Sequence, residues 1–282
     1  MSIYECESAA RTARNSVRGA PKGGEIAPTL GEVATGNLFF AAEAIDVVVT
    51  RLNVEAKTVH ASAALLSNAE RQRASRFALD RDRNRFIIAR SRLRQMLAAR
   101  LGVRPASVEL VYGTRGKPAL ARRFARSRLR FNVSHSNDVA VYAFALGREV
   151  GIDVEAVRVM NDADSMAARF FSQCENKAYL ALDSKDKLMG FFNCWTRKEA
   201  FIKALGDGLY YPLDRFDVSL APGEQARILR VERTPGNACG WELHSFLPGP
   251  GLIGAIVVRK FADELVSWAC PEQLALRSML RP

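Results

Sequence analysis

Between Val139 and Ala156 two apolar runs flank a short Gly-Arg-Glu break, and two carboxylates stand inside the second run. Val139 to Leu146 is continuously apolar over the length of one strand, which suits a buried strand. Gly147-Arg148-Glu149 has the composition of a hairpin turn, and Val150 to Ala156 resumes the run with Asp153 and Glu155 inside it. Residues two apart on a strand point to one face, so these two carboxylates stand side by side. Taken alone, such a pair is more often found on a solvated strand edge. The run predicts a hairpin of adjacent strands, a pairing that would also bring Ser134 and His135 toward Asp153 and Glu155.

A second stretch adds to the first. In Trp195-Thr196-Arg197-Lys198-Glu199-Ala200-Phe201-Ile202-Lys203 the helical spacing puts Glu199 and Lys203 on one face. Three carboxylates and a lysine that converge would make a Mg²⁺ site with a phosphate beside it, because Mg²⁺ takes hard oxygen ligands and one or two carboxylates plus substrate phosphates. Simpler readings stay open. Thr196 and Glu199 also fit a capping box at a helix start. Glu199 with Lys203 also fits a surface ion pair contributing about 0.3–0.5 kcal/mol. Lys198 reads as either a functional or a structural partner, and Trp195 and Phe201 read as core.

Composition excludes several classes. The 282 residues are 48% hydrophobic and 25% charged, as in soluble globular proteins, and no apolar run is long enough to span a bilayer. Five scattered cysteines and three histidines, with no C-x-x-C pair, argue for reduced thiols in the cytoplasm and against structural zinc. The net charge of +11 is concentrated: residues 71–130 hold 17 arginines and one lysine against three acids. A local basic block suggests a polyanionic partner. A nucleic-acid binder would use such a block, yet the acidic motifs would have no role in it, and Phe77, Phe86, Tyr112 and Phe124 read as core. A Mg²⁺-dependent phosphodiesterase would use the acidic motifs alone.

Along the chain, Pro- and Gly-rich residues 1–36 show no hydrophobic period and read as a mobile extension. Ile45 to Val49 reads as a strand, and Ser67 to Leu101 as two helices. In the second helix Phe86, Ala89, Leu93, Met96, Leu97 and Leu101 recur at helical spacing and Gly102 stops it; Arg83, Arg90 and Arg94 take the opposite face. Strands follow at Val108–Tyr112 and Leu129–Ser134, then helices over 161–188 and a helix from Thr196 to Leu205. Four further strands are expected near Phe216–Leu220, Ala226–Glu232, Trp241–Phe246 and Leu252–Val258.

Two more motifs precede the acidic ones: Gly116-Lys117-Pro118, and Phe131-Asn132-Val133-Ser134-His135-Ser136. The series closes with Gly206-Asp207-Gly208-Leu209 and Pro212-Leu213. In order and spacing it resembles the 4′-phosphopantetheinyl transferases of the larger, surfactin-synthetase-activating type, over residues 65–220. The resemblance implies an α+β fold of two pseudo-duplicated lobes, each a mostly antiparallel sheet packed with helices. Its expected divisions are an extension over 1–40, lobes over 41–147 and 148–262, and a tail over 263–282. The implied reaction moves the 4′-phosphopantetheine arm of coenzyme A onto a serine of an apo acyl or peptidyl carrier protein, with Mg²⁺ or Mn²⁺ and release of 3′,5′-ADP. Asp153, Glu155 and Glu199 would hold the metal, with Glu199 also the general base. Lys203 and His135 would meet the diphosphate, with Ser134 beside them. Arg73, Arg76, Arg85, Lys117 and Pro118 would serve the 3′-phosphoadenosine end. The expected partners are coenzyme A and an acidic carrier, with neither nucleic acid nor membrane, and the expected state is a monomer.

Overall fold

The computed structural model describes residues 37–40, 45–113, 116–206, 211–232 and 238–261. The expected mobile segment 1–36, the C-terminal tail and the Asp207-Gly208-Leu209 motif lie outside them. The fold is α+β, with two sheet-rich lobes. In the first sheet the order is β1 (Asn37–Phe40), β2 (Ile45–Arg51), β6 (Val139–Leu146), β5 (Leu129–Ser136), all neighbours antiparallel. The stretch read as an extension thus ends in a paired strand. Helices α1 (Ala56–Ala63) and α2 (Asn68–Ser75) lead into α3 (Asp80–Leu101). Helix α3 buries Ile88, Leu93 and Leu97 against Phe131, Tyr142 and Phe144, and stops at Gly102, whose φ of 65° costs glycine little. Helix α1 buries no residue fully; Val59 and Ala63 pack half-buried against the core, too short an apolar stripe to mark a helix in the sequence.

One arginine expected on the open face of α3 is inside. Arg94 donates through Nε to Glu70 Oε2 at 2.6 Å and through Nη1 to the carbonyls of Pro105 and Val108 at 3.0 and 2.9 Å. Part of the basic excess therefore holds the lobe together. Of the aromatics expected as core, Tyr112 is exposed, and Arg90 lies over its ring and that of half-buried Phe86.

In the second lobe the sheet order is β10 (Trp241–Phe246), β11 (Leu252–Arg259), β7 (Val150–Ala156). Helices α4 (Ala163–Phe170) and α5 (Gln173–Leu180) precede α6 (Ser184–Leu205), which lies on this sheet. Two short hairpins, β3 (Leu110–Tyr112) with β4 (Pro118–Leu120) and β8 (Phe216–Val218) with β9 (Ile228–Val231), complete the described strands. Trp195 and Phe201 sit in the core as expected, Trp195 stacked on Phe191 at 6.0 Å and Phe201 against Phe216 at 4.7 Å.

The expected β6–β7 hairpin does not form. Both edges of β6 are taken, by β2 and β5, so no edge remains for β7, which pairs antiparallel with β11 instead. The lobes meet along β5 and β7, and no backbone ladder joins these two strands among the described residues. Side chains do it. Asn132 Oδ1 accepts from the Ile152 N–H at 2.9 Å, Ser134 Oγ donates to Asp153 Oδ1 at 2.8 Å, and Ser136 Oγ accepts from the Ala156 N–H at 3.0 Å. The partners ascend together in both strands, so the seam is parallel.

Candidate active site

The site is built where α6 crosses β7. Gly151 permits the crossing: a Cβ at that position would run into the Ala200 carbonyl and the Ala204 backbone nitrogen. Glu199 and Lys203, each next to one of these contact points, are thereby brought down onto the strand that carries Asp153 and Glu155. Lys203 Nζ donates to Asp153 Oδ1 at 2.6 Å and to Ser134 Oγ at 3.0 Å. Glu155 Oε2 accepts from Ser136 Oγ at 3.1 Å. Asp153, Glu155 and Glu199 are all buried.

Their charges are coupled. Burial pushes the Glu199 carboxyl above the usual carboxylate range, and the charge of Asp153 pushes the same way. Burial would lower Lys203, but Asp153, Glu199 and Glu155 around its ammonium outweigh burial and raise it. Among the described residues, three buried carboxylates thus face the Lys203 ammonium.

The donor set suits a hard divalent cation. Every acidic ligand atom is oxygen, and Asp153 Oδ2 is buried without a hydrogen-bond partner, which is rare for such a group. As the side chains stand, no three Asp, Glu, His or Cys side chains among the described residues close into a metal cage. The Lys203 ammonium is bonded within the group.

Two simpler readings of the second motif fail. Thr196 lies inside α6 rather than at its start, and its Oγ1 donates back to the Phe192 carbonyl at 2.8 Å, so Glu199 caps no helix end. Lys203, bonded to a carboxylate of the other motif, is no solvated i,i+4 partner. Lys198 takes its structural reading, buried against Glu175 Oε2 at 2.7 Å.

The remaining expected residues divide. Arg73 and Arg76 line a cleft of about 630 Å³ with Gln72, Phe77, Tyr112 and Gly116, while Arg85 is half-buried on α3. Lys117, next to that cleft, donates across the lobes to the Lys203 carbonyl in the last turn of α6, and Pro118 opens β4. His135 lies on the other side of β5 from Ser134. The alternation of β5 buries Ser134 and Ser136 and turns His135 to the exposed side. Asn132 and Ser136 tie the seam without having been expected to; the signal is the polar series Arg130, Asn132, Ser134 and Ser136 at every second position of β5.

The model of the 4′-phosphopantetheinyl transferase superfamily matches residues 149–256, and that of the 4′-phosphopantetheinyl transferase N-terminal region matches 53–146. The chain is 38% identical over 206 residues to the 4′-phosphopantetheinyl transferase HetI of Nostoc sp., covering 73% of this chain and 84% of that protein. The chain belongs to the 4′-phosphopantetheinyl transferases. The transferase is also 29% identical over 163 residues to Sfp of Bacillus subtilis, covering 58% of this chain and 70% of Sfp. It is 31% identical over 163 residues to the human L-aminoadipate-semialdehyde dehydrogenase-phosphopantetheinyl transferase, covering 54% of this chain and 52% of that protein. No helix among its described residues is long and apolar enough to cross a membrane.

Proposed function

We propose that this transferase moves the 4′-phosphopantetheine arm of coenzyme A to a serine of an apo acyl or peptidyl carrier protein in a reaction that needs Mg²⁺ or Mn²⁺. The observation that carries the metal is the convergence of Asp153, Glu155 and Glu199 around Lys203, with Asp153 Oδ2 left unsatisfied. Asp153, Glu155 and Glu199 would hold the cation, which when bound neutralises charge on the diphosphate. The carrier serine Oγ attacks the β-phosphorus, the bond from that phosphorus to the bridging oxygen breaks, and 3′,5′-ADP leaves with that oxygen. Glu199 accepts the serine proton.

Lys203 and Ser134 orient the diphosphate, and exposed His135 reaches it from the solvent side of β5. Such a reaction asks the protein mainly for positioning and charge compensation. The cleft lined by Arg73 and Arg76, with Arg85, Lys117 and Pro118 behind it, takes the 3′-phosphoadenosine end; a guanidinium fork matches a phosphate. The exposed arginines of the same lobe steer an acidic carrier. Both lobes of one chain supply the site, so a monomer suffices, and the cytoplasm is where coenzyme A and carriers would meet it.

The test is direct. Incubated with coenzyme A, Mg²⁺ and an apo carrier protein, the enzyme adds the mass of the arm to the carrier, and a chelator stops the addition. No mass gain with any apo carrier, or full activity in chelator, overturns this reading.

A further inference from the structure

Ser136 touches both the backbone of β7 and the carboxylate of Glu155. Its Oγ accepts from the Ala156 N–H at 3.0 Å and donates to Glu155 Oε2 at 3.1 Å, and the side chain is buried. Asn132 offers an internal comparison. It makes the same kind of tie, to the Ile152 N–H at 2.9 Å, but its bond goes to backbone alone. Ser134 differs again, since it is bonded to Lys203 and belongs to the site already described.

We propose that Ser136 is a positioning residue: it fixes the rotamer of Glu155 and ties that carboxylate to the first lobe, so that metal affinity depends on the register of the seam. This rests on the assignment of Glu155 as a metal ligand. The physical reason is that a carboxylate with one oxygen held by a hydroxyl presents the other in a single orientation, whereas a free one must be ordered by the cation itself. Outer partners of this sort typically contribute 10- to 100-fold in metal affinity. Because Ser136 sits on β5 and Glu155 on β7, any sliding of one lobe past the other moves the hydroxyl away from the carboxylate.

Mn²⁺ binding to the whole enzyme, read by the loss of the free-ion electron paramagnetic resonance signal, tests this without turnover. Ser136→Ala should weaken Mn²⁺ by at least about tenfold, and Ser136→Thr, which keeps the hydroxyl, should restore it. Ser136→Cys keeps the volume with a weaker hydrogen-bonding group and should lose affinity even if the alanine variant fails to fold. Asn132→Ala should lower the melting temperature while leaving Mn²⁺ affinity within about twofold. An unchanged affinity in Ser136→Ala or Ser136→Cys, or an equal loss in Asn132→Ala, overturns the proposal. If the wild type binds no Mn²⁺ at all, the metal reading itself falls, and the proposal with it.

Discussion

Lys198 and Lys203 stand on the same helix, and both are paired with a buried carboxylate, yet their surroundings differ in one respect. Lys198 Nζ has three acceptors for its three protons: Glu175 Oε2 at 2.7 Å, and the carbonyls of Leu213 and Phe216 at 2.7 and 2.6 Å. Glu175 in turn accepts from the backbone N–H groups of Ser172 and Val218, both at 2.8 Å. Nothing in that group is left over. Around Lys203 the inventory stays open, with more carboxylates than ammonium and with Asp153 Oδ2 unmatched. A buried pair whose hydrogen bonds are all made holds elements together; one with an acid oxygen to spare has room for a ligand.

The largest effect that tests this contrast is on transfer. Asp153→Ala should abolish it while the protein stays folded, because on the proposed reading a metal ligand is lost. A fully active Asp153→Ala enzyme in Mg²⁺ would remove the distinction between the two lysines.

Stability should separate the lysines next. Lys198→Met strands Glu175 as an unpaired buried charge and should cost about 3–5 kcal/mol in chemical denaturation, whether Mg²⁺ is present or not. Adding Glu175→Gln should recover part of that loss, since no charge is then unpaired and the amide oxygen still accepts one N–H. Lys203→Met should also destabilise the metal-free protein, but Mg²⁺ should restore the melting temperature, as the cation takes over from the ammonium. Equal insensitivity of both variants to Mg²⁺ would make Lys203 a second structural lysine.

Glu199→Gln keeps the shape and removes the charge. Transfer should fall by about 10²-fold or more if Glu199 takes the serine proton. A rate within a few-fold of wild type, with the same Mg²⁺ dependence, would return Glu199 to a packing role beside Lys198.

The smallest effect is on pH. Burial, then Asp153, raises the proton affinity of Glu199 in the folded protein. A carboxyl whose folded pKa exceeds its unfolded value favours folding at low pH, and that contribution is lost as pH rises through the folded pKa. Mg²⁺ would bind the ionised form, so the Mg²⁺-induced rise in melting temperature should grow as the pH rises through the folded pKa of Glu199. A rise of constant size would detach Glu199 from the metal.

Which of these features a linear chain can disclose follows from how local each one is. The long elements of the lobes were legible because α3 shows its apolar period and β6, β10 and β11 their strand patterns, each a property of adjacent residues. Asp153, Glu155, Glu199 and Lys203 were legible as two spacings, one of period two and one of period four. The β5–β7 seam was not, because the turn at Gly147 suggests a hairpin and only the occupied edges of β6 forbid it. The start of α6 was misplaced at Thr196, although the helix continues back to Ser184 through Gly190. That error kept a capping role open for Glu199. The structural part of Lys198 was undecidable, since Glu175 reaches it from another helix.

Gly151 gives the molecule an unusual kind of fragility. It touches no reacting atom, yet the absence of its side chain sets the height of α6 above β7, and both Glu199 and Lys203 ride on that height. A methyl group there would lift the helix, and a displacement of about 1 Å at a reacting centre can cost about 10²-fold in rate. The machinery is therefore gauged by an empty volume, the thickness of a shim that is missing by design of the sequence.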